Sequence, residues 1–431
     1  GFELYLVGGA VRDGILDIPT NDFDFTTNAT PEESIELLKK NNYKTTEVGK
    51  AFGTIELYDQ ERVVHITTFR KDTYETDSRN PEIEKASDLV TDLSRRDFTI
   101  NSIAYSLETN ELIDPFSGLK DLASGTISTP DDPIISFSDD PLRMLRVCRF
   151  ASTHGFSPDN ETYIAMKENI ERIKIITKER IRDEINKLLV GKSPSMGIRT
   201  LVESGLSLYI IPEINELKIE VDPKHHHKDV YEHTLAVLDG VPPKLTLRMG
   251  ALLHDIAKPN TKGIENGKVH FRHHEVVGAR MTKKILKGLK YDNKTIEDIA
   301  LLVEQHLRPH TFKMGWTDSA VRRYIVDAGH MLEDLNELVR ADVTTKNKIK
   351  AKEIYENLDE MEKRIEEVKA KEELSKIRPA LSGDEIMEHF NIQPGPKVGV
   401  IMKALYEQRI NDGEVSKEDA LKLAEETYKK L

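Results

Sequence analysis

Two stretches near the start constrain this chain more than any others: Leu6-Val7-Gly8-Gly9-Ala10-Val11-Arg12-Asp13, then Asn21-Asp22-Phe23-Asp24-Phe25. The apolar run Leu4 to Val7 reads as a buried strand, and Gly8 and Gly9 let the backbone turn tightly into a helix. Backbone N–H groups exposed at such a turn form an anion site suited to a triphosphate. Asp22 and Asp24 follow at strand spacing, and residues i and i+2 of a strand face the same side. Paired carboxylates beside a phosphate site supply the hard oxygen ligands that magnesium needs. Metals held there activate an attacking hydroxyl and stabilise a leaving pyrophosphate. The plainer alternative is a solvent-exposed Asx turn, since Asp and Asn are common in loops. Gly-Gly, a basic residue and Asp-x-Asp flanked by Phe, in that order, favour nucleotidyl transfer.

That order resembles the class II branch of the nucleotidyltransferase superfamily, the tRNA CCA-adding enzymes and bacterial poly(A) polymerases. The resemblance implies that Asp22 and Asp24 are catalytic and hold Mg2+, while Gly8, Gly9 and Arg12 cradle the phosphates of CTP or ATP.

At 431 residues the chain exceeds one ordinary core, and about two to four domains are expected. No apolar run approaches membrane-spanning length and no signal-peptide pattern is present, so no membrane association is expected. Cys148 is the only cysteine, which rules out a disulfide within the chain and fits a cytoplasmic location. The opening Gly1-Phe2 lacks an initiator Met, consistent with a short leader trimmed or replaced. A net charge of −13 argues against indiscriminate nucleic-acid binding but allows local basic surfaces.

Further along the head, Thr30 can cap a helix from Pro31 to Asn41. Gly53 to Tyr58 and Arg62 to Phe69 read as strands of a small mixed sheet. Sites of this superfamily often take a third carboxylate from a later strand. That strand offers His65 at its centre, which leaves the third acid unplaced and Glu56 as a guess. Lys71 to Ser94, with Asp77-Ser78-Arg79-Asn80-Pro81 inside it, reads by composition as a mobile loop. In CCA-adding enzymes the corresponding loop helps the site switch from C to A. Arg95 and Arg96 then precede an apolar helix, where they oppose its dipole and point to an anionic partner. The segment Arg95 to Asn101 resembles the family's ribose- and phosphate-reading motif, which implies that Arg96 faces the triphosphate and Asp97 accepts from a ribose hydroxyl.

Asp139-Asp140-Pro141-Leu142-Arg143 opens a second informative helix, with Ser138 or Asp139 as cap and Arg143, Arg146 and Arg149 near one face. A solvated basic face explains the arginines but not the acids ahead of them. A carboxylate accepts from an exocyclic amino group while a guanidinium donates to the ring position beside it. Cytosine and adenine both show that pair of groups. Uracil and guanine put a carbonyl oxygen opposite the carboxylate and leave buried groups unpaired. Asp140 with Arg143 can therefore serve as an amino-acid template. The stretch resembles the family's Glu-Asp-x-x-Arg motif, with Asp139 in place of Glu, and by that likeness Arg146 and Arg149 reach the nucleotide. Glu179-Arg180 matches the family's Glu-Arg motif that braces the template arginine, or else is ordinary charge pairing along a helix.

A third constellation runs through His225-His226-His227, His233, His254-Asp255, His273-His274-Glu275, His306 and Arg340-Ala341-Asp342. Imidazoles and carboxylates suit divalent metals. The order resembles the HD superfamily of metal phosphohydrolases, which implies His233, His254, Asp255 and Asp342 as ligands of a second divalent metal, with His274 and His306 as additions. Lys346 to Lys376 reads as one long exposed helix, Leu381-Ser382-Gly383-Asp384 caps another, and Pro394-Gly395-Pro396-Lys397 turns into a third, as a phosphate contact or else an ordinary inter-helix turn.

The expected fold is α+β: a mixed-sheet nucleotidyltransferase head (residues 1–120), a helical base-recognition neck (121–215), an HD-type helical domain (216–345) and a helical tRNA-binding tail (346–431). The resemblance implies template-independent addition of C, C and A to the tRNA 3′ end from CTP and ATP. A poly(A) polymerase and an enzyme adding only C or only A share the chemistry. Rivals of other classes are an HD phosphohydrolase with a nucleotide-sensing head and an RNA-binding factor without catalysis.

Overall fold

The structure, a computed structural model, describes the chain apart from residues 47–52, 60–61, 74–81, 220–228, 267, 346 and 372–377. The His225-His226-His227 run and the Asp77 to Pro81 stretch lie outside the described residues. The chain divides into two compact units, Gly1–Lys218 with Ile285–Tyr291, and Ile219–Lys284 with Asp292–Leu431. No helix among the described residues is long and apolar enough to cross a membrane.

The first unit begins with β1 (Leu4–Val7), α1 (Gly9–Ile15), β2 (Asp22–Thr27), α2 (Pro31–Lys40), β3 (Thr45–Thr46), β4 (Thr54–Asp59) and β5 (Arg62–Thr68). Thr30 and Glu33 form a capping box on α2, with Pro31 in its first turn. The segment read as a loop instead holds β6 (Arg70–Thr73), paired antiparallel with β7 (Glu82–Lys85), and then α3 (Leu89–Ser94). Pairing satisfies the backbone of a ribbon whose charged residues look loop-like by composition alone. β8 (Ala104–Ser106) and β9 (Leu112–Ile113) complete a seven-stranded sheet in the order β3-β4-β5-β2-β1-β8-β9. β2 and β5 run parallel, while the other neighbouring pairs are antiparallel, so the sheet is mixed. Only Val7 of β1 is fully buried; it packs with Phe69, Leu89, Leu93 and Ala104, and Leu4 lies at the exposed edge.

The rest of this unit is helical: α4 (Gly118–Ser124), α5 (Pro133–Asp139), α6 (Leu142–His154), α7 (Asn160–Glu168), α8 (Lys178–Leu189), α9 (Pro194–Glu203), α10 (Ser207–Ile210) and α11 (Glu213–Glu216), with a short parallel pair β10 (Thr126–Ile127) and β11 (Ser157–Pro158). α6 is the hub, burying Leu142, Met144, Leu145, Val147, Cys148, Phe150 and Ala151. Each such aliphatic or aromatic side chain stabilises the fold by about 1.5–3 kcal/mol. α9 crosses it closely at Gly197, where a Cβ would stand 2.8 Å from the Cys148 backbone oxygen.

The second unit comprises α12 (Val230–Gly240), α13 (Leu245–Leu253), α14 (Lys258–Thr261), a hairpin of β12 (Lys262–Glu265) and β13 (Lys268–Phe271), and the start of α15 (His274–Gly288). α16 (Asn293–Gln305), α17 (Asp318–Ala328), α18 (Leu332–Ala341), α19 (Lys348–Lys371), α20 (Gly383–Phe390), α21 (Pro396–Asp412) and α22 (Lys417–Tyr428) follow. The charged α19 is not wholly exposed: Leu358, Met361, Ile365 and Val368 bury one face at three- and four-residue spacing. Ser382 and Glu385 form a capping box on α20, and Leu381, Ile386, Ile401, Leu405, Ala420 and Ala424 close a small core of α20 to α22.

Candidate functional site

The tight turn after β1 is built at Gly8, whose φ of 71° lies in the left-handed region that glycine adopts freely. A Cβ there would stand 3.2 Å from Arg96 Nη1 and 3.5 Å from Asp24 Oδ2, so the turn, the guanidinium and the carboxylate crowd one spot. Val7 lies opposite Asp24 in the antiparallel β1–β2 pair, and parallel β5 sets His65 beside Asp24. His65 Nδ1 is 3.5 Å from Asp22 Oδ1 and 3.4 Å from Asp24 Oδ1. One ligand atom from each of these three side chains lies within 4.8 Å of the others, a donor set able to hold a cation. Burial and then the neighbouring Asp22 charge raise the Asp24 carboxyl above its ordinary value, against the pull of Arg96 and His65. Glu56 stands one strand further out, with Oε1 3.8 Å from the far ring nitrogen of His65. It does not join the three-residue group.

Arg95 and Arg96 close the C-terminal end of α3 rather than opening a helix, so the helix dipole favours them. Their partner is Asp92, which the sequence reading missed. It accepts from Thr26, the Arg70 backbone, Arg95 (2.8 Å to Nη2) and Arg96 (3.3 Å to Nη2). Burial opposes its charge, yet the two guanidiniums hold the Asp92 carboxyl below the usual range. Its spacing of three and four residues before Arg95 and Arg96 was the available signal.

Arg12 is nine-tenths buried and turns inward. It bonds Asp13 Oδ1 at 2.8 Å and Asn101 Oδ1 at 2.7 Å, and its guanidinium lies over the Phe150 ring at 5.1 Å. Asp97 accepts from the Phe98 backbone and the Asn101 side chain, and its other oxygen faces Arg146 Nη2 at 2.7 Å. Burial alone would raise the Asp97 carboxyl, but Arg146 and the Asn101 bond lower it.

Asp139 ends α5, and Asp140 sits in the break before α6, where its Oδ1 accepts from the Leu142 backbone. Ser138 and Asp139 lie in the last turn of α5 and do not cap α6, whose first backbone N–H is met by Asp140 instead. The three arginines of α6 part company. Arg143 donates to Ser136 Oγ (2.7 Å) and the Arg95 carbonyl (2.6 Å), Arg146 faces Asp97, and Arg149 reaches Glu184 at 3.3 Å. Arg180 braces the acid rather than the arginine, with Nη2 3.5 Å from Asp140 Oδ2.

In the second unit the sequence clusters converge. His233 Nε2 lies 2.9 Å from Asp342 Oδ1 and 3.4 Å from Asp255 Oδ2, and His254 Nε2 lies 3.2 Å from the same Asp255 oxygen. The other Asp255 oxygen faces His274 Nε2 at 3.3 Å and His306 Nε2 at 3.9 Å. Two three-residue donor groups result, His233–His254–Asp255 and Asp255–His274–His306. The Nδ1 atoms of His254, His274 and His306 meet the carbonyls of Ala251, Phe271 and Val303, and that of His233 meets Thr344 Oγ1. A carbonyl partner makes Nδ1 the donor at His254, His274 and His306 and directs Nε2 into the cluster, the arrangement of a metal-binding histidine. Asp255 Oδ1 is buried without a hydrogen-bond partner, and paired Nε2 atoms approach to 3.2 and 3.3 Å. These donors fit divalent cations.

Burial holds His306 down to about 3 and therefore neutral. Burial also opposes charge on His233, but bonds to Asp255 and Asp342 outweigh it and raise the imidazole to about 9. His310, absent from the sequence reading, brings Nε2 to 3.4 Å from Asp342 Oδ2. His273 is exposed and apart from the cluster, and Arg340 pairs with Asp359 and Glu362. Lys397 of the tail lies over the Tyr428 ring at 5.4 Å.

Comparison with known proteins finds relatives of both units. Residues 4–128 match the poly A polymerase head domain, 155–218 the probable RNA- and SrmB-binding site of polymerase A, and 225–342 the HD domain. The chain is 30% identical over 416 residues to the CCA-adding enzyme of Geobacillus sp. (strain WCH70), covering 96% of this chain and 90% of the relative. It is also 30% identical over 418 residues to the A-adding tRNA nucleotidyltransferase of Deinococcus radiodurans, covering 94% and 91%. The crystal structure of the Bacillus stearothermophilus CCA-adding enzyme in complex with CTP shares the fold with a TM-score of 0.70, at 24% identity over 100% of this chain and 94% of that one. The chain belongs to the class II tRNA nucleotidyltransferases, the family of the CCA-adding enzymes, and carries an HD domain.

Proposed function

We propose that this protein adds C, C and A in turn to the 3′ end of tRNA, using CTP and ATP and releasing pyrophosphate, with no nucleic-acid template. The observation that carries the reading is the meeting of Asp22, Asp24 and His65 beside the Gly8 turn and Arg96. Bound Mg2+ would supply activation of the terminal tRNA hydroxyl and neutralisation of the departing pyrophosphate. Asp22 and Asp24 hold that ion. The Gly8–Gly9 turn leaves room for phosphate oxygens close to the backbone, and Arg96 adds positive charge there. Arg12 acts through its bonds to Asp13 and Asn101, fixing α1 against the nucleotide-facing segment. Asp97 reads the ribose while Arg146 and Arg149 line the nucleotide pocket.

Asp140 accepts from the exocyclic amino group of cytosine or adenine, and Arg143 donates to the adjacent ring atom. Its bonds to Ser136 and the Arg95 carbonyl fix the guanidinium plane and leave further N–H donors for the base. In this reading the polypeptide works as a head (1–120), neck (121–215), HD domain (216–345) and tRNA-binding tail (346–431), in the cytoplasm. His233, His254, Asp255 and Asp342 hold a divalent metal that supports phosphohydrolase chemistry, with His274 and His306 extending the donor set through Asp255.

One experiment decides the product. A tRNA lacking its 3′ tail is incubated with CTP and ATP, and the ends are sequenced. Completed CCA ends support the reading. The Deinococcus radiodurans likeness favours a second reading, A addition alone, which gives product only on tRNA already ending in CC.

A further inference from the structure

In the head, the strand beside the catalytic pair contributes an imidazole. The register of β5 against β2 sets His65 beside Asp24, and the register of β4 sets Glu56 opposite His65. The ring is thereby held between the Asp22–Asp24 pair and a third acid. Its Nδ1 lies 3.4 and 3.5 Å from the nearer oxygens of Asp24 and Asp22, beyond the usual 2.7–3.2 Å of an N–H···O bond. Donors of a shared octahedral ion, each about 2.1 Å from it, stand about 3 Å apart. Two of the three separations come within about half an ångström of that and all lie within 4.8 Å, so rotation about side-chain bonds can close the set on one cation. On the far side of the ring, Nε2 faces Glu56 Oε1 at 3.8 Å. Glu56 is itself anchored by Thr46 Oγ1 at 3.0 Å and the Tyr58 hydroxyl at 3.2 Å. At 3.8 Å this is a neighbouring charge rather than a hydrogen bond, and a small closing movement would make Glu56 the outer support that fixes a ligating histidine.

We propose that His65 is the third protein ligand of the head metal, and that the resulting set of one imidazole and two carboxylates makes this centre favour a transition-metal ion such as Mn2+ over Mg2+. The inference rests on the reading of the head as the catalytic centre. Its chemistry follows from the donors. A third carboxylate would give three negative charges and all-oxygen ligation, which Mg2+ prefers. A neutral imidazole lowers the charge by one and offers a nitrogen donor. Mg2+ gains little from nitrogen and releases its waters reluctantly, whereas Mn2+, the most oxygen-preferring of the first-row ions, still binds imidazole better than Mg2+ does, and the metals after it better again. His65 is about one-third exposed and Asp24 about half, so the ion and its nucleotide can reach the set from solvent.

The test uses the full chain with Mn2+ and CTP, comparing wild type with His65→Gln and His65→Glu. Pulsed electron paramagnetic resonance reads nitrogen coupled to Mn2+, and the difference between wild type and variant isolates His65, because the HD histidines are common to both. The expected result is an imidazole nitrogen coupling lost in both variants. Mn2+ affinity of the CTP complex should fall by on the order of tenfold in His65→Gln. The ratio of CTP incorporation with Mn2+ to that with Mg2+ should fall by a similar factor in His65→Glu, which restores the oxygen set. Identical nitrogen coupling in wild type and both variants, with unchanged Mn2+ affinity, overturns the assignment even if incorporation proceeds. Wild-type protein that incorporates nothing with either ion, yet shows the His65 coupling, instead defeats the catalytic reading and leaves the ligand assignment standing.

Discussion

Asp140 is paired with Arg180, Nη2 to Oδ2 at 3.5 Å, and Arg143 is held away from it by Ser136 and the Arg95 carbonyl. Acid and arginine of the proposed template are thus fixed by separate neighbours and meet through the base that they read. The Arg95 carbonyl also ties the template to the segment that carries Arg96. Arg180→Ala should therefore loosen Asp140 and weaken amino-group recognition while phosphate binding persists. The expected outcome is a fall of roughly threefold to fivefold in CTP and ATP incorporation efficiency, up to about 1 kcal/mol, with UTP and GTP nearly unchanged. Equal loss for all four nucleotides would make Arg180 a general charge.

Asp22→Ala or Asp24→Ala should abolish incorporation while the head stays folded. Asp22 is exposed and Asp24 half-exposed on β2, so neither truncation opens a core cavity. Loss of either ligand removes the ion's hold at the Gly8 turn. Rapid-quench measurement of a single turnover, beside a circular dichroism melt, checks both halves. Substantial turnover by either variant would overturn the assignment.

Asp92→Ala should act differently, through stability. Asp92 is fully buried, with Arg95 and Arg96 on its oxygens and Thr26 and the Arg70 backbone donating to it. Its removal takes a buried carboxylate from two guanidiniums and two further donors, a loss of up to about 3 kcal/mol. A drop in the urea midpoint of the head that Asp92→Asn only partly rescues is the expected result. Unchanged stability with lost activity would instead place Asp92 in the chemistry.

These residues also show what was legible in the chain before its fold. Gly8, Asp22 and Asp24 lie within seventeen residues of one another, and local rules of turn and strand suffice to bring them together. His65 needed the strand order β5-β2-β1, a long-range fact that no local pattern carries. The same holds for Asp92, whose partners come from β2 and β6 as well as its own helix. Arg95 and Arg96 sit at the other end of a helix from the one the sequence suggests because α3, six residues with only Leu89, Val90 and Leu93 apolar, is too short to stand out from the polar segment before it. The histidine centre was legible because its ligands come from compact motifs on a helix or just past the end of one, although the bridging by Asp255 was not. α19 buries a full stripe despite its charge, since its Lys and Glu residues keep their heads in water around Leu358 and Met361.

Arg143→Ala tests the template directly. Phosphate binding keeps the Gly8 turn and Arg96, so selection should suffer more than triphosphate affinity. Removing one charged donor from a recognition pair costs on the order of 2–4 kcal/mol, roughly 30- to 1000-fold. Correct CTP and ATP should lose more than UTP and GTP, which never use the pair well. The quantity to measure is the ratio of incorporation efficiencies, CTP over UTP and ATP over GTP. Unchanged ratios would mean that the base is read elsewhere.

The histidine centre makes the final prediction, on metal removal. Asp255 serves both donor groups, so a divalent ion bound at either favours the folded second unit over its unfolded chain. At about a hundred times its dissociation constant, one such ion stabilises by about 2.7 kcal/mol. Chelation should therefore lower the thermal midpoint of the second unit, and Mn2+ or Co2+ should restore it. In His254→Ala with Asp255→Ala the added ion should have no such effect, and any metal-dependent phosphatase or phosphodiesterase activity should vanish. CCA addition should persist in that variant, because the head draws none of its proposed ligands from these residues. Calorimetry with and without the ion reads the first outcome, and incorporation into tail-less tRNA reads the second. Collapse of incorporation in a variant that remains folded would mean that the two centres are coupled, and the proposed division of labour would have to be abandoned.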